Sequence, residues 1–345
     1  MHTASENPKE LLTEYLSSRQ PLVSVICTSF NHEPYIRHSL QSVIDQTYPA
    51  VELIVVDNNS TDRTVPVVEA FREKHSGLHL IKNSRNIGLA RAFNQGLKVA
   101  NGRFVIDLSA DDVLHPKRIE RQVSAFGRLP ADYAVVFSNA ALIDEKDQVI
   151  GHHFNLNERG EAARAVPSGS IFKEILESFV VCSPTMMMRR EVLDSLGGYD
   201  ETLAYEDFDF WVRSTKDYRY HYLDEVLTNK RVLRQSLSTE FSKPRNLLLP
   251  STLKVCYKAF DQCQTPDEYR ALAVRLKWSI RQCFYAQHYQ LAFEFEKLLA
   301  YMEEPDWKTK LFLNFCRLRL PVNGLYRQYL NWQRKPYRIS SYMIS

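Results

Sequence analysis

Through the first two thirds of the chain, short apolar runs alternate with segments whose apolar residues recur every three or four positions. VSVICTSF (23–30) is β-branched and nearly unbroken, the pattern of a strand buried on both faces. Ile36, Leu40, Val43 and Ile44 then fall at helical spacing. ELIVVD (52–57) predicts a second strand, followed by a polar turn and a helix around 65–71. LHLIKN (78–83) predicts a third, with Leu89, Phe93 and Leu97 marking the helix after it, and RFVIDLS (103–109) a fourth. Strand and helix alternating at this rhythm predict an α/β fold with a parallel, doubly wound sheet. From about Leu247 the texture becomes helical and aromatic, punctuated by Pro250, Pro266, Pro305 and Pro321. The expected organisation is an N-terminal helical extension (1–20), an α/β domain (21–242) and a helical segment (243–345).

In such sheets ligands bind beyond the C-terminal ends of the strands. The polar residues to read are therefore 28–32, 57–62, 83–88 and 109–112. The first strand is followed by no GxGxxG turn, and the chain has no GxxxxGK[ST] loop, which argues against a dinucleotide-binding Rossmann domain and a P-loop.

Composition changes this picture in one place. The net charge is +3, yet residues 306–345 hold eight Lys or Arg against one acidic residue, so the remaining 305 residues carry −4. A partner or membrane surface is to be sought at the C-terminus. There Lys308, Lys310, Arg317, Arg319, Arg327, Arg334 and Lys335 interleave with Leu311, Phe312, Phe315, Leu318, Tyr326, Tyr329 and Trp332. Basic residues beside aromatics suit an anionic membrane surface, and a helical cap or dimer contact is the alternative. No nucleic-acid-binding module is recognisable. The six cysteines form no CxxC pair and lie mostly in apolar runs, so reduced, buried thiols are expected. The first residues carry no basic-then-apolar leader, and no apolar stretch reaches the roughly 18 residues of a membrane span. The expected location is cytoplasmic, or peripheral on the cytosolic face of a membrane.

The residues after the strands carry a resemblance. VSVICTSFNHEPYIRHSLQSVIDQTYPAVELIVVDNNSTDRT, then NIGLARAFNQGLKVANGRFVIDLSADD, PTMMMRREVLDSLGGYDE and YEDFDFWVR resemble, in order and spacing, family-two glycosyltransferases with the GT-A fold. The similarity covers roughly residues 21–235. It implies a mixed, mainly parallel sheet flanked by helices. It also implies transfer of a sugar from a nucleotide-diphosphate donor, most often a UDP-sugar, to a saccharide or lipid-linked acceptor, in surface polysaccharide or glycolipid assembly.

What the resemblance implies for single residues has a plain alternative beside it. Asp57 corresponds to the aspartate that accepts a hydrogen bond from the base; Asp57 and Asp62 also suit turn and cap chemistry. Thr28, Phe30 and Asn31 fall where the family lines the base, although Phe30 also suits a core. By their place after the third strand Arg85, Asn86 and Arg91 are candidate diphosphate or ribose contacts, and solvated surface is as good a reading for each arginine. Ser109, Ala110, Asp111 and Asp112 occupy the metal-binding motif, with Ser109 where the family usually has aspartate. Asp111 and Asp112 are the implied ligands of a divalent cation, Mg²⁺ or Mn²⁺, with Asp111 also near the ribose. Glu206 and Asp207 match the pair that supplies the catalytic base, Asp207 being the base and Glu206 an acceptor contact; both also suit a helix N-terminus. Leu233 stands in KRVLRQSLS where many relatives have a metal-binding histidine, so either the aspartates, diphosphate and water complete the coordination or Arg231 and Arg234 stabilise the leaving group. Two alternatives stay open: a retaining transferase on the same fold, and a nucleotide-sugar-binding protein without turnover.

Overall fold

A computed structural model describes residues 20–233 and 237–333. The predicted N-terminal extension, Arg234, Arg334 and Lys335 therefore lie outside the described residues. Four parallel strands form one half of the sheet: β1 (Val23–Ser29), β2 (Val51–Asp57), β3 (Leu78–Lys82) and β4 (Phe104–Ser109). The helices between them are α1 (Ile36–Ile44), α2 (Thr64–Lys74) and α3 (Leu89–Val99). β1 is buried along its whole length, as its unbroken apolar run requires of a strand with neighbours on both edges and layers on both faces.

The other half mixes directions. β5 (Val113–Leu114) and α4 (Arg118–Phe126) follow β4, then β6 (Tyr133–Ile143), β7 (Val149–His152), α5 (Phe172–Glu177), β8 (Met187–Arg189), α6 (Arg190–Ser195), α7 (Asp207–Thr215) and β9 (Arg219–Arg231). The strand order is β3-β2-β1-β4-β8-β6-β9-β5, with β7 beside β6. β8 runs antiparallel to both β4 and β6, and β6 and β9 pair in parallel. The sheet is thus mixed, parallel in the half that the alternating pattern predicts.

Two apolar layers cover the sheet. One face buries Ile36 and Leu40 of α1, Val68 and Phe71 of α2 and Ile119 of α4. The other buries Phe93 of α3, Ile175 of α5, Val192 of α6 and Phe208 of α7. That second core continues into the C-terminal helices α9 (Leu248–Gln262), α10 (Pro266–Tyr285), α11 (Tyr289–Leu299) and α12 (Trp307–Arg317), which follow the short α8 (Leu237–Glu240) and precede α13 (Asn323–Gln333). α10 starts where Thr265 accepts from the Glu268 amide in a capping box, with Pro266 in the first turn. Among the described residues no helix is long and apolar enough to cross a membrane. All six cysteines are buried and free.

The aromatic positions of the C-terminal segment divide between inside and outside. Phe312 and Phe315 pack on Phe284, and Tyr326 stacks on Tyr285 at 4.0 Å. These rings complete the core and leave the membrane-facing set that the sequence suggested. Trp307, Leu311, Leu318 and Leu325 stay exposed.

Candidate active site

The parallel ladder aligns the strand ends that carry the chemistry. Ser29 pairs with Asp57 across β1–β2, and Thr28 with Ser109 across β1–β4. The ladder continues past the strands, because Asn58 N–H donates to the Ser29 carbonyl and Ala110 N–H to that of Thr28. Thr28, Asp57 and the Ser109–Asp112 loop therefore share one edge.

Asp57 is buried and accepts from Ser29 Oγ (3.1 Å), Ser60 N–H (2.9 Å) and Ser60 Oγ (2.5 Å). Those bonds shape the turn DNNSTD. Asn31, in the left-handed region at φ 58°, closes the same turn by accepting from Thr61 N–H (2.8 Å) while its own N–H donates to Ser60 Oγ. Phe30 stands 41% exposed at the end of β1, open for a ring to stack on it. Asn86 accepts from Asn58 Nδ2 (2.9 Å), so the buried Asn58 ties the loop after β3 to β2. Arg91 is exposed and pairs with Glu201 at 3.4 Å, at the rim of the loop leading to α7.

The acidic loop after β4 is asymmetric. Asp111 is half-buried and accepts from Ser109 Oγ at 2.5 Å. Asp112 is buried, and its Oδ1 accepts Arg231 N–H at 2.8 Å. Burial first, and the charge of Asp111 second, push Asp112 up to about 8. Arg231 is a strap rather than a leaving-group cation. Its Nε donates to the Asp111 carbonyl, Nη1 to the Asp144 carbonyl and Nη2 to Asp147, and its guanidinium lies over Tyr35. With its nitrogens engaged and 3% of its surface exposed, it clamps the loop.

Metal chemistry asks more donors than this loop offers. Asp111 supplies one open carboxylate, one oxygen of Asp112 is committed to backbone, and Leu233 has no donor atom. Among the described residues no three His, Cys, Asp or Glu side chains converge to hold an ion. The residues present do not fit a divalent cation held by the protein alone.

Across from the loop, Glu206 and Asp207 open α7. Asp207 accepts the Phe208 amide at 2.6 Å. Burial raises its pKa above the ordinary carboxylate range, against the opposing effects of the Phe208 amide, Lys230 and the Ser183 hydroxyl. Glu206 is buried, and among the described residues its Oε2 has no hydrogen-bond partner. Burial, then Asp207, then Asp107 raise it well above the ordinary value. A buried carboxyl oxygen without a donor is costly unless something supplies one, and a substrate hydroxyl is such a donor.

Four residues join this site that the sequence motifs did not point to: Asp107, Ser183, Tyr199 and Lys230. Asp107, mid-strand in β4, is pushed up to about 7, by burial first and Asp207 in the same sense, while the Tyr199 hydroxyl works against the rise. A lone carboxylate inside the apolar run FVIDLS was the available signal. Ser183 and Lys230 carried none, since each reaches the site through a turn or strand of the half of the sheet that mixes directions.

Known proteins are similar to this chain. A family model for glycosyl transferase family 2 matches residues 24–197. An uncharacterized glycosyltransferase of Methanocaldococcus jannaschii is 28% identical over 246 residues, 69% of this chain and 80% of its own length. Among solved structures, S. aureus TarS (residues 1–349) in complex with UDP-GlcNAc is similar with a TM-score of 0.62 at 18% identity, over 89% of this chain and 92% of that one. The mannosyltransferase PcManGT of Pyrobaculum calidifontis, in complex with GDP-Man and Mn²⁺, is similar with a TM-score of 0.57 at 18% identity, over 95% and 89%. At that identity the two structures speak for the fold alone.

Proposed function

The chain belongs to glycosyl transferase family 2, and on that premise we propose an inverting transfer from a nucleotide-diphospho-sugar, a UDP-sugar first, to an acceptor hydroxyl with Asp207 as base. One observation carries the reading: a carboxylate of raised pKa at the start of α7, beside the partnerless Glu206 oxygen and across from the acidic loop. Raised basicity suits a base that must accept a hydroxyl proton near neutral pH. The acceptor proton passes to Asp207 as the acceptor oxygen bonds to the anomeric carbon. The bond from that carbon to the diphosphate breaks, its electron pair leaving with the phosphate. Glu206 receives a second acceptor hydroxyl.

On the donor side, Phe30 would stack on the base, while Thr28, Asn31, Asp57, Asn86 and Arg91 line the edge from base to phosphates. The two structural relatives carry UDP-GlcNAc and GDP-Man, so the fold alone does not choose the base. A divalent cation would come with the diphosphate and keep its waters, Asp111 being the carboxylate open to it.

Replacing Asp207→Asn keeps shape and removes the base. Transfer should fall by roughly 10²–10⁴-fold. Binding of UDP or GDP, followed by calorimetry, should change little. Lost nucleotide binding with residual transfer unchanged would assign Asp207 to the donor and refute the base.

For the acceptor we propose a lipid-linked saccharide presented at an anionic membrane, in surface polysaccharide or glycolipid assembly. The support is the exposed row Trp307, Leu311, Leu318 and Leu325 beside Lys308, Lys310, Arg319 and Arg327. In flotation assays the protein should rise with phosphatidylglycerol vesicles, remain behind with phosphatidylcholine vesicles, and be released by high salt. Equal behaviour with both lipids would sink the membrane reading and leave the transferase untouched.

A further inference from the structure

The acidic loop and the base helix together bring Asp107, Asp111, Asp112, Glu206 and Asp207 to a site whose substrate is itself a multiply charged anion. Arg231, the arginine nearest in sequence, is bound up in the clamp on the loop. The protein ligands for a cation are few. What receives the charge of the departing diphosphate is therefore a pointed question.

Lys230 stands where the answer is needed. Its backbone is fixed from three sides: it pairs with Leu142 of β6, Asn229 pairs with Val113 of β5, and Arg231 N–H is held by Asp112. Side chains alternate along a strand, so Lys230 leaves β9 on the face opposite Arg231. β9 packs against the turn Ser183–Thr185, whose Ser183 hydroxyl in turn acts on Asp207. Its charge is felt by Asp207 and Asp112, and Cys182, Asp112, Asp207 and Asp111 in turn hold the ammonium protonated against the cost of burial. Lys230 is half-buried, yet among the described residues its ammonium forms no hydrogen bond and no ion pair. A half-buried cation within the field of several carboxylates and bonded to none is available to an anionic ligand.

We propose that Lys230 contacts the diphosphate of the donor and stabilises the negative charge it gathers as the glycosidic bond breaks. This rests on the transferase reading above. Lys230 stays protonated throughout, giving hydrogen bonds to phosphate oxygens and no proton to the reaction. The acceptor proton goes to Asp207, and the electron pair of the broken bond to the diphosphate. Such stabilisation, strongest when the charge is greatest, acts mainly on turnover. The same ammonium holds down the pKa of Asp207, so it couples the leaving-group side of the site to the base side.

The test compares wild type, Lys230→Met and Lys230→Arg, with thermal melts to establish that each folds. Lys230→Met should lose about 10²–10³-fold in kcat, the usual scale for one preorganised donor on a developing charge. It should weaken UDP or GDP, whichever the wild type binds, while leaving the parent nucleoside, which has no phosphates, unaffected. Lys230→Arg should recover most of both. The ascending limb of the pH–rate profile should move to higher pH in Lys230→Met, because Asp207 loses the cation that lowers it. Turnover within a few-fold of wild type, or equal weakening of nucleoside and nucleoside diphosphate, would overturn the assignment while leaving the transferase standing. A wild type that binds no nucleoside diphosphate at all would overturn both. Metal titration adds a separate arm. If saturating Mg²⁺ or Mn²⁺ restores Lys230→Met to the wild-type rate, the divalent ion carries the charge and Lys230 does not.

Discussion

A carboxylate withdrawn from water inside an apolar strand is expensive, and β4 keeps one, half-buried, in its middle. Asp107 lies between Ile106 and Leu108, both fully buried, and its pKa is pushed from 3.8 up to about 7. The folded state therefore holds a proton that the unfolded chain releases. The stability from that proton is complete below about pH 4, declines as pH rises, and is gone above about pH 7. Asn has nearly the same shape and nothing to ionise. Asp107→Asn should melt close to wild type at pH 4 and several degrees above it at pH 8, by calorimetry, with activity lowered. A variant less stable than wild type at pH 8 would mean that Tyr199 holds the carboxylate as an anion. At this scale the sequence pointed to Asp57, Asp111, Asp112, Glu206 and Asp207, all of which sit in strings with a family pattern. Asp107 left only a faint mark, a carboxylate inside an apolar run, and Lys230 left none, because the meaning of both comes from which strand face they occupy.

Elements were legible in proportion to how local their cause is. β1 to β4 and the helices between them follow from apolar runs and helical periodicity read within a dozen residues. β6, β8 and β9 do not, because their pairing is long-range. β9 contains YHYLDEV, polar and aromatic positions that become a strand only through pairing with β6 on one edge and β5 on the other. The approach to α7 shows the same dependence on distant partners. Gly198, at φ 76°, brings the chain against Asn94 of α3, where a Cβ would stand 2.6 Å from Asn94 Oδ1. Asn94 answers by donating to the Tyr199 carbonyl at 2.9 Å and accepting its N–H at 3.0 Å. The loop from Gly198 to Asp207 is thus anchored to a helix a hundred residues earlier. The motif GGYDE marks the loop in the sequence, and the anchoring amide bears no mark.

The charge balance along the chain and the change of texture near residue 243 suggested a helical appendage, and that helical region packs closely on the sheet domain. α9 reaches α7 through Lys258, which pairs with the fully buried Asp209 at 2.5 Å and with Asp200 at 2.6 Å. α10 reaches further in. Arg275 is 2% exposed, donates to the carbonyls of Ile175 and Leu176 at the end of α5, and lies over the rings of Phe179 at 4.2 Å and Phe208 at 5.0 Å. Those carbonyls belong to the last turn of a helix and have no partner within it, so a buried arginine there serves as cap and countercharge at once. Phe208 directly follows the proposed base. A change in the C-terminal segment should therefore register at the site. Arg275→Met keeps bulk but strands two buried carbonyls, at a cost of about 2–4 kcal/mol. The expected result is one cooperative melting transition at lower temperature, with kcat reduced and the donor KM nearly kept, since the nucleotide edge lies on the far strands. Two separate transitions with full activity would show instead that the helical segment folds apart from the sheet and lends the base no support.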